Sequence, residues 1–142
     1  MEKELRQEDS KVEVKGFEAR YYDRLMDIIT FGWYPKFISK AILDLHLKEG
    51  ERILDLGAGT GRNALLMREY IKDSGEIVAF EIGEEMKEQF RKKCAPYSNI
   101  KLIDRRIDEP LEYEEEFDAV FISFVLHGFI QEKRDIIIKN AF

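Results

Sequence analysis

The chain has 142 residues, of which 44% are hydrophobic and 37% charged, and a formal net charge of −6. That length makes one domain with room for a real core, and the excess of acid argues against the basic field of a general nucleic-acid binder. A single cysteine, Cys94, excludes an internal disulfide and a Cys-rich metal site, while the lack of a signal-like or membrane-spanning apolar run points to a cytoplasmic protein without a membrane span.

Met1 to Lys15 is charged, with few apolar positions, and reads as a frayed start. Phe17 to Ile29 has a helical pattern, with Phe17, Tyr21, Leu25 and Ile28 on one apolar face. Thr30 to Pro35 breaks it. A second helix is expected over Phe37 to Leu47, with Phe37, Ile38, Ala41, Ile42 and Leu45 on one side. Residues 1–15, 16–49 and 50–142 thus read as a flexible start, N-terminal helices and an α/β core of a single domain.

The core opens on a short apolar run, Ile53-Leu54, which ends in Asp55 and then in Gly57, Gly59 and Gly61. Helix formers from Arg62 to Ile71 follow, so the stretch reads as strand, tight turn and helix. Glycine is needed where φ is positive, or where a ligand must approach the main chain without meeting a Cβ. The amides that open the next helix face such a ligand. Ile77 to Phe80 is a continuous apolar run, as in a strand buried on both faces, and ends at Glu81. Glu84 to Cys94 is a helix with Met86, Phe90 and Cys94 at i, i+4 and i+8, stopped by Pro96.

Asn99 to Ile103 is a short third strand, followed by a charged turn from Asp104 to Asp108. The fourth strand lies within Phe117 to Val125, centred on Ala119 to Ile122. A last helix starts at Gln131. The order is that of an open parallel α/β sheet with two leading helices. No helical pattern separates the third and fourth strands.

Two nucleotide-type patterns compete at the glycines. A dinucleotide fingerprint started at Gly57 meets Arg62 in place of its third glycine; started at Gly59, it ends on Ala64. Asp-x-Gly-x-Gly-x-Gly is fully present from Asp55 to Gly61. A carboxylate at the strand's end repels a pyrophosphate but suits a ligand with an ammonium group. This stretch resembles motif I of the class I S-adenosylmethionine-dependent methyltransferases. Tyr21-Tyr22-Asp23 and Phe31-Gly32-Trp33 resemble the N-terminal helices of the family's ubiquinone and menaquinone biosynthesis branch.

The resemblance implies a Rossmann-like sheet ordered 3-2-1-4, with the family's last three strands missing, and hence a C-terminally incomplete domain. It implies S-adenosylmethionine over Asp55, Gly57, Ala58, Gly59 and Gly61, with S-adenosylhomocysteine as product. Glu81, placed 24 positions after Gly57, would accept hydrogen bonds from the ribose hydroxyls. Ile82 and Met86 would lie near the adenine. Arg106 and the Ile107 amide fall where the family reads adenine, with Asp104 or Asp108 as alternative acids.

Asp118 would start the fourth strand. Tyr22 would touch the cofactor from the lid, and Ser123 from the strand's end. Phe124 and His127 would line the side of a small-molecule acceptor. No catalytic residue is assigned, since alignment of acceptor, methyl carbon and sulfur does most of the work in methyl transfer.

A non-catalytic S-adenosylmethionine-binding module is the alternative, and an NAD-linked oxidoreductase a distant third. The missing strands would leave the fourth strand's edge bare, so a homodimer through that edge or the terminal helix is expected.

Overall fold

The computed structural model describes residues 23–28, 30–123, 126 and 129–142. Residues 23–28 are helical, and the chain then turns through Phe31 and Gly32 into α1 (Trp33–Asp44). This helix begins ahead of the expected Phe37. Pro35 falls in its first turn, where a missing N–H has no intrahelical acceptor to lose. Thr30 prepares the start: its hydroxyl donates to Met26 O (2.7 Å) and accepts from the Tyr34 amide (3.1 Å).

Both expected apolar faces need correction. On α1 the buried residues are Tyr34, Ile38 and Ile42, while Phe37 and Leu45 are exposed. In residues 23–28, Met26 packs against the core, whereas Leu25 and Ile28 point outward. A helix turns through 3.6 residues, so a face misjudged by one residue swings far from the core. Phe17 and Tyr21 lie outside the described residues.

The sheet is parallel, with strands β1 (Arg52–Leu56), β2 (Glu76–Phe80), β3 (Ile100–Ile103) and β4 (Ala119–Ile122) in the order β3-β2-β1-β4. The crossover helices are α2 (Arg62–Ile71) and α3 (Glu84–Cys94). Successive residues of a strand face opposite sides. Ile53, Ile77 and Ala79 therefore join one cluster with Ile42, Met67, Ile71 and Phe90 from the helices. Leu54, Leu56, Val78 and Phe80 enter a second cluster, closed by Ile107, Phe129 and Ile137. Coverage on both faces explains the short apolar run Ile53-Leu54 of β1 and the unbroken run Ile77 to Phe80 of β2.

β4 occupies the expected centre, Ala119 to Ile122. Its start is fixed by Asp118, whose amide donates to Arg52 O and whose carboxylate accepts from Arg52 N, both at 2.8 Å. No helix lies between β3 and β4; residues 104–118 are irregular. Asn140, on the last helix α4 (Gln131–Ala141), holds this crossover. Its Nδ2 donates to Ile107 O (2.9 Å) and Glu109 O (2.8 Å), and its Oδ1 accepts from the Leu111 amide (3.0 Å).

Candidate cofactor site

The site lies at the carboxyl ends of β1, β2 and β4, where open α/β sheets bind their ligands. Leaving β1, the chain passes through Gly57, Gly59 and Gly61 with φ of 79°, 59° and 87°, all in the left-handed region. The Gly57 and Ala58 amides both donate to Phe80 O, at 3.0 and 2.9 Å, so the loop leans on the end of β2. A Cβ built on Gly61 would sit 2.9 Å from Phe90 Cδ2 and 3.0 Å from Cys94 Sγ. That glycine lets α2 approach α3. A Cβ on Gly59 meets no atom within 4 Å, so its outer side is open to a ligand.

Glu81 leaves β2 and turns back over the loop. Its Oε2 accepts from the Gly59 amide (2.8 Å), and its Oε1 from the amides of Ile82 (3.1 Å) and Gly83 (2.9 Å). A carboxylate has about four acceptor positions, so held this way it keeps capacity for a ligand hydroxyl.

Asp55, at the floor of the loop, is 2% exposed. Burial first, and then the nearby Glu81 charge, raise its carboxyl from 3.8 to about 7. Among the described residues, the buried atoms Asp55 Oδ2 and Asn63 Oδ1 accept no hydrogen bond. They bracket the glycine loop in sequence. An unmet buried acceptor is costly, and a cationic N–H donor would satisfy it. Among the described residues no side chain caps the first turn of α2, so its amides suit a carboxylate. This donor and acceptor set fits the ammonium and carboxylate of an amino acid, which is the methionine end of S-adenosylmethionine.

Residues 23–28 close over the loop from above. The Thr60 hydroxyl donates to Asp23 (2.7 Å), Lys93 of α3 pairs with the same carboxylate, and Arg62 Nη1 lies 2.8 Å from Asp27 Oδ1. The Tyr34 hydroxyl hydrogen-bonds with the side chains of Ser123 and Asn63. Burial raises the Tyr34 phenol above its usual range, against the lowering by these two bonds and the Arg62 charge. Sequence reasoning missed Asp23, Tyr34, Thr60, Arg62, Asn63 and Lys93 as site residues. Only Asp23 had a signal, as part of the Tyr21-Tyr22-Asp23 resemblance.

Of the expected site residues, Asp55, Gly57, Ala58, Gly59, Gly61, Glu81, Ile82 and Ser123 are placed around the ends of these strands. Arg106 and Ile107 follow β3. The Arg106 side chain is spent on Asp108, through two bonds of 2.8 Å, and the Ile107 side chain is buried in the second cluster. The alternative acids are engaged as well: Asp104 pairs with the buried Lys87 at 2.7 Å, and Asp108 with Arg106. Met86 is buried. Tyr22, Phe124 and His127 lie outside the described residues.

Comparison with known proteins follows the same lines. A family model described as a methyltransferase domain matches residues 53–142. The demethylmenaquinone methyltransferase of Staphylococcus aureus (strain JH9) is 29% identical over 110 residues, covering 78% of this chain and 46% of that protein. The chain thus spans about half the length of the curated relatives it matches. A SAM-dependent methyltransferase from Aquifex aeolicus superposes with a TM-score of 0.62 at 21% identity, covering 73% of this chain and 57% of the other. Fibrillarin from Aeropyrum pernix, solved with natively bound S-adenosyl-L-methionine, gives 0.50 at 28% identity, covering 54% of this chain and 34% of that one. The match from β1 to the last residue spans more than half of the sequence and contains the glycine loop, Glu81 and the whole sheet; the chain belongs to the methyltransferase-domain family.

Proposed function

We propose that this chain is the cofactor-holding part of an enzyme that transfers a methyl group from S-adenosylmethionine to a small-molecule acceptor of the quinone-precursor type. The observation that carries the reading is the buried Asp55 carboxylate, unpaired on one oxygen, beneath a glycine loop whose outer side is open. S-adenosylmethionine supplies an electrophilic methyl on a sulfonium. The protein's own part is to orient and to exclude water.

In this reading Asp55 takes the ammonium, the first amides of α2 take the carboxylate, and Glu81 takes the ribose hydroxyls. Ile82 flanks the adenine. Arg106 and Ile107 border it through their backbone, since their side chains are engaged elsewhere. Ser123, tied to Tyr34, closes the cofactor side; Tyr22, outside the described residues, is assigned to the lid by the family resemblance alone. Phe124 and His127, which lie outside the described residues, are assigned to the acceptor by the family resemblance alone, His127 to orient it or accept its proton. The likeness to a demethylmenaquinone methyltransferase supports the acceptor class. A cytoplasmic location, and a homodimer through the far edge of β4 or through α4, belong to the same reading. β4 pairs only with β1 among the described residues.

Titration calorimetry with S-adenosylmethionine, S-adenosylhomocysteine and NAD tests the cofactor. Gly59→Val should abolish binding of the first two, and Glu81→Ala should weaken it by roughly 1.5–3 kcal/mol. Unchanged affinity in Gly59→Val would refute the assignment. A methyl-transfer assay with quinone-precursor acceptors tests the activity.

A further inference from the structure

We propose that the outer face formed by residues 23–28 and α1 docks on an anionic lipid surface. Among the described residues ten large hydrophobic side chains are exposed, and five of them, Leu25, Ile28, Phe31, Trp33 and Phe37, fall within residues 25–37. Phe31 is 98% exposed, at the tip of the turn, with φ of 52°. L-residues other than Asn or Asp seldom adopt that conformation, yet hydrogen bonds hold it: Phe31 N to Ile28 O (3.2 Å) and Gly32 N to Asp27 O (2.8 Å). The ring is presented on a fixed turn. Trp33, 61% exposed, stacks on Phe37 with 5.0 Å between centroids.

The charges sort by side. Asp23 and Asp27 face the glycine loop, where Lys93, Thr60 and Arg62 hold them. Arg24 lies one turn before Ile28, and both are exposed. Lys36 and Lys40 follow Trp33 and Phe37 by three residues, so they share the outer face of α1. Lys40 is balanced by Asp44 (2.9 Å). A chain of net charge −6 thus presents aromatic, aliphatic and cationic groups together on one face.

Indole at the headgroup level, an apolar wedge below it and flanking lysines are how a protein lies on a charged bilayer. A second copy of this chain is disfavoured as the occupant, because two-fold pairing of the patch sets its own cations against each other. Among the described residues no helix is long and apolar enough to cross a membrane. The inference does not rest on the methyl-transfer reading.

Trp33 is the only tryptophan, so intrinsic fluorescence reports on the patch. The full chain is titrated with vesicles of phosphatidylcholine alone and of phosphatidylcholine with about 30% phosphatidylglycerol. The expected result is a blue shift and co-sedimentation on the anionic vesicles, at least about tenfold stronger than on the neutral ones and weakened by salt. Phe31→Ser and Lys36→Glu should each lower the binding about tenfold. Both positions are exposed, so an unchanged thermal midpoint serves as the control for folding. No shift with either vesicle overturns the proposal. So does equal binding to both, or unchanged binding in both variants. A shift that grows with protein concentration without vesicles, with dimers in sedimentation, identifies a copy interface instead and also overturns it.

Discussion

Replacing Asp55 by Asn should change how the stability of the ligand-free chain depends on pH. In the folded protein the carboxyl is raised from 3.8 to about 7, chiefly by burial and then by Glu81. The folded state therefore holds the proton more tightly than the unfolded one. Stability contributed by the protonated form is complete below about pH 4 and is lost as pH rises towards about 7. A shift of about three pH units corresponds to roughly 4 kcal/mol. The amide that replaces the carboxyl cannot ionise, so the stability of Asp55→Asn relative to wild type should climb by up to that amount between about pH 4 and about pH 8.

Urea denaturation across this range, without ligand, measures the difference. Its slope with pH is the readout, because any constant cost of the buried amide cancels. S-adenosylmethionine should compress the pH dependence of the wild type, since its ammonium pairs with the ionised carboxylate. Its affinity for wild type should rise up to about pH 7. In the variant it should be flat, and weaker at neutral pH by roughly 1.5–3 kcal/mol. Parallel stability curves for the two proteins would refute the argument that Asp55 is held in a dry place with one oxygen unmet.

Gly61→Ala should lower the thermal midpoint, by the equivalent of about 1–3 kcal/mol, because the new methyl meets Phe90 and Cys94 at 2.9 and 3.0 Å while φ stays at 87°; an unchanged midpoint would mean that α2 and α3 part freely. Asn140→Ala removes the three bonds to Ile107, Glu109 and Leu111 and should cost roughly 2–3 kcal/mol, with faster hydrogen exchange at the Leu111 amide as the local signature.

The sequence by itself determined the parts whose signal is local. Three glycines at alternate positions after an apolar run specify the strand, the turn and the next helix, because positive φ is a property of single residues. Met86, Phe90 and Cys94 at four-residue spacing specify the buried face of α3, and all three are buried. Glu81 at the end of an unbroken apolar run marks the second strand's exit. Together with the family resemblance, these gave the sheet order that the structure has.

Tertiary structure decided what depends on neighbours remote in the chain. The inward face of α1 is set by packing on α2, so Tyr34 is buried while Phe37 is exposed. Glu81 is shared with an amide 22 residues away, and Asp23 with Thr60 and Lys93, 37 and 70 residues away. Nothing in the local pattern announces such pairings, because any exposed acid and base could make them. The crossover before β4 lacks helical periodicity, and its order comes from Asn140 on another element. Asp55 shows the same division within one residue. Its place at the end of β1 was readable from the motif, but its raised carboxyl is not a property of the motif. It follows from desolvation by elements that only the fold brings around it.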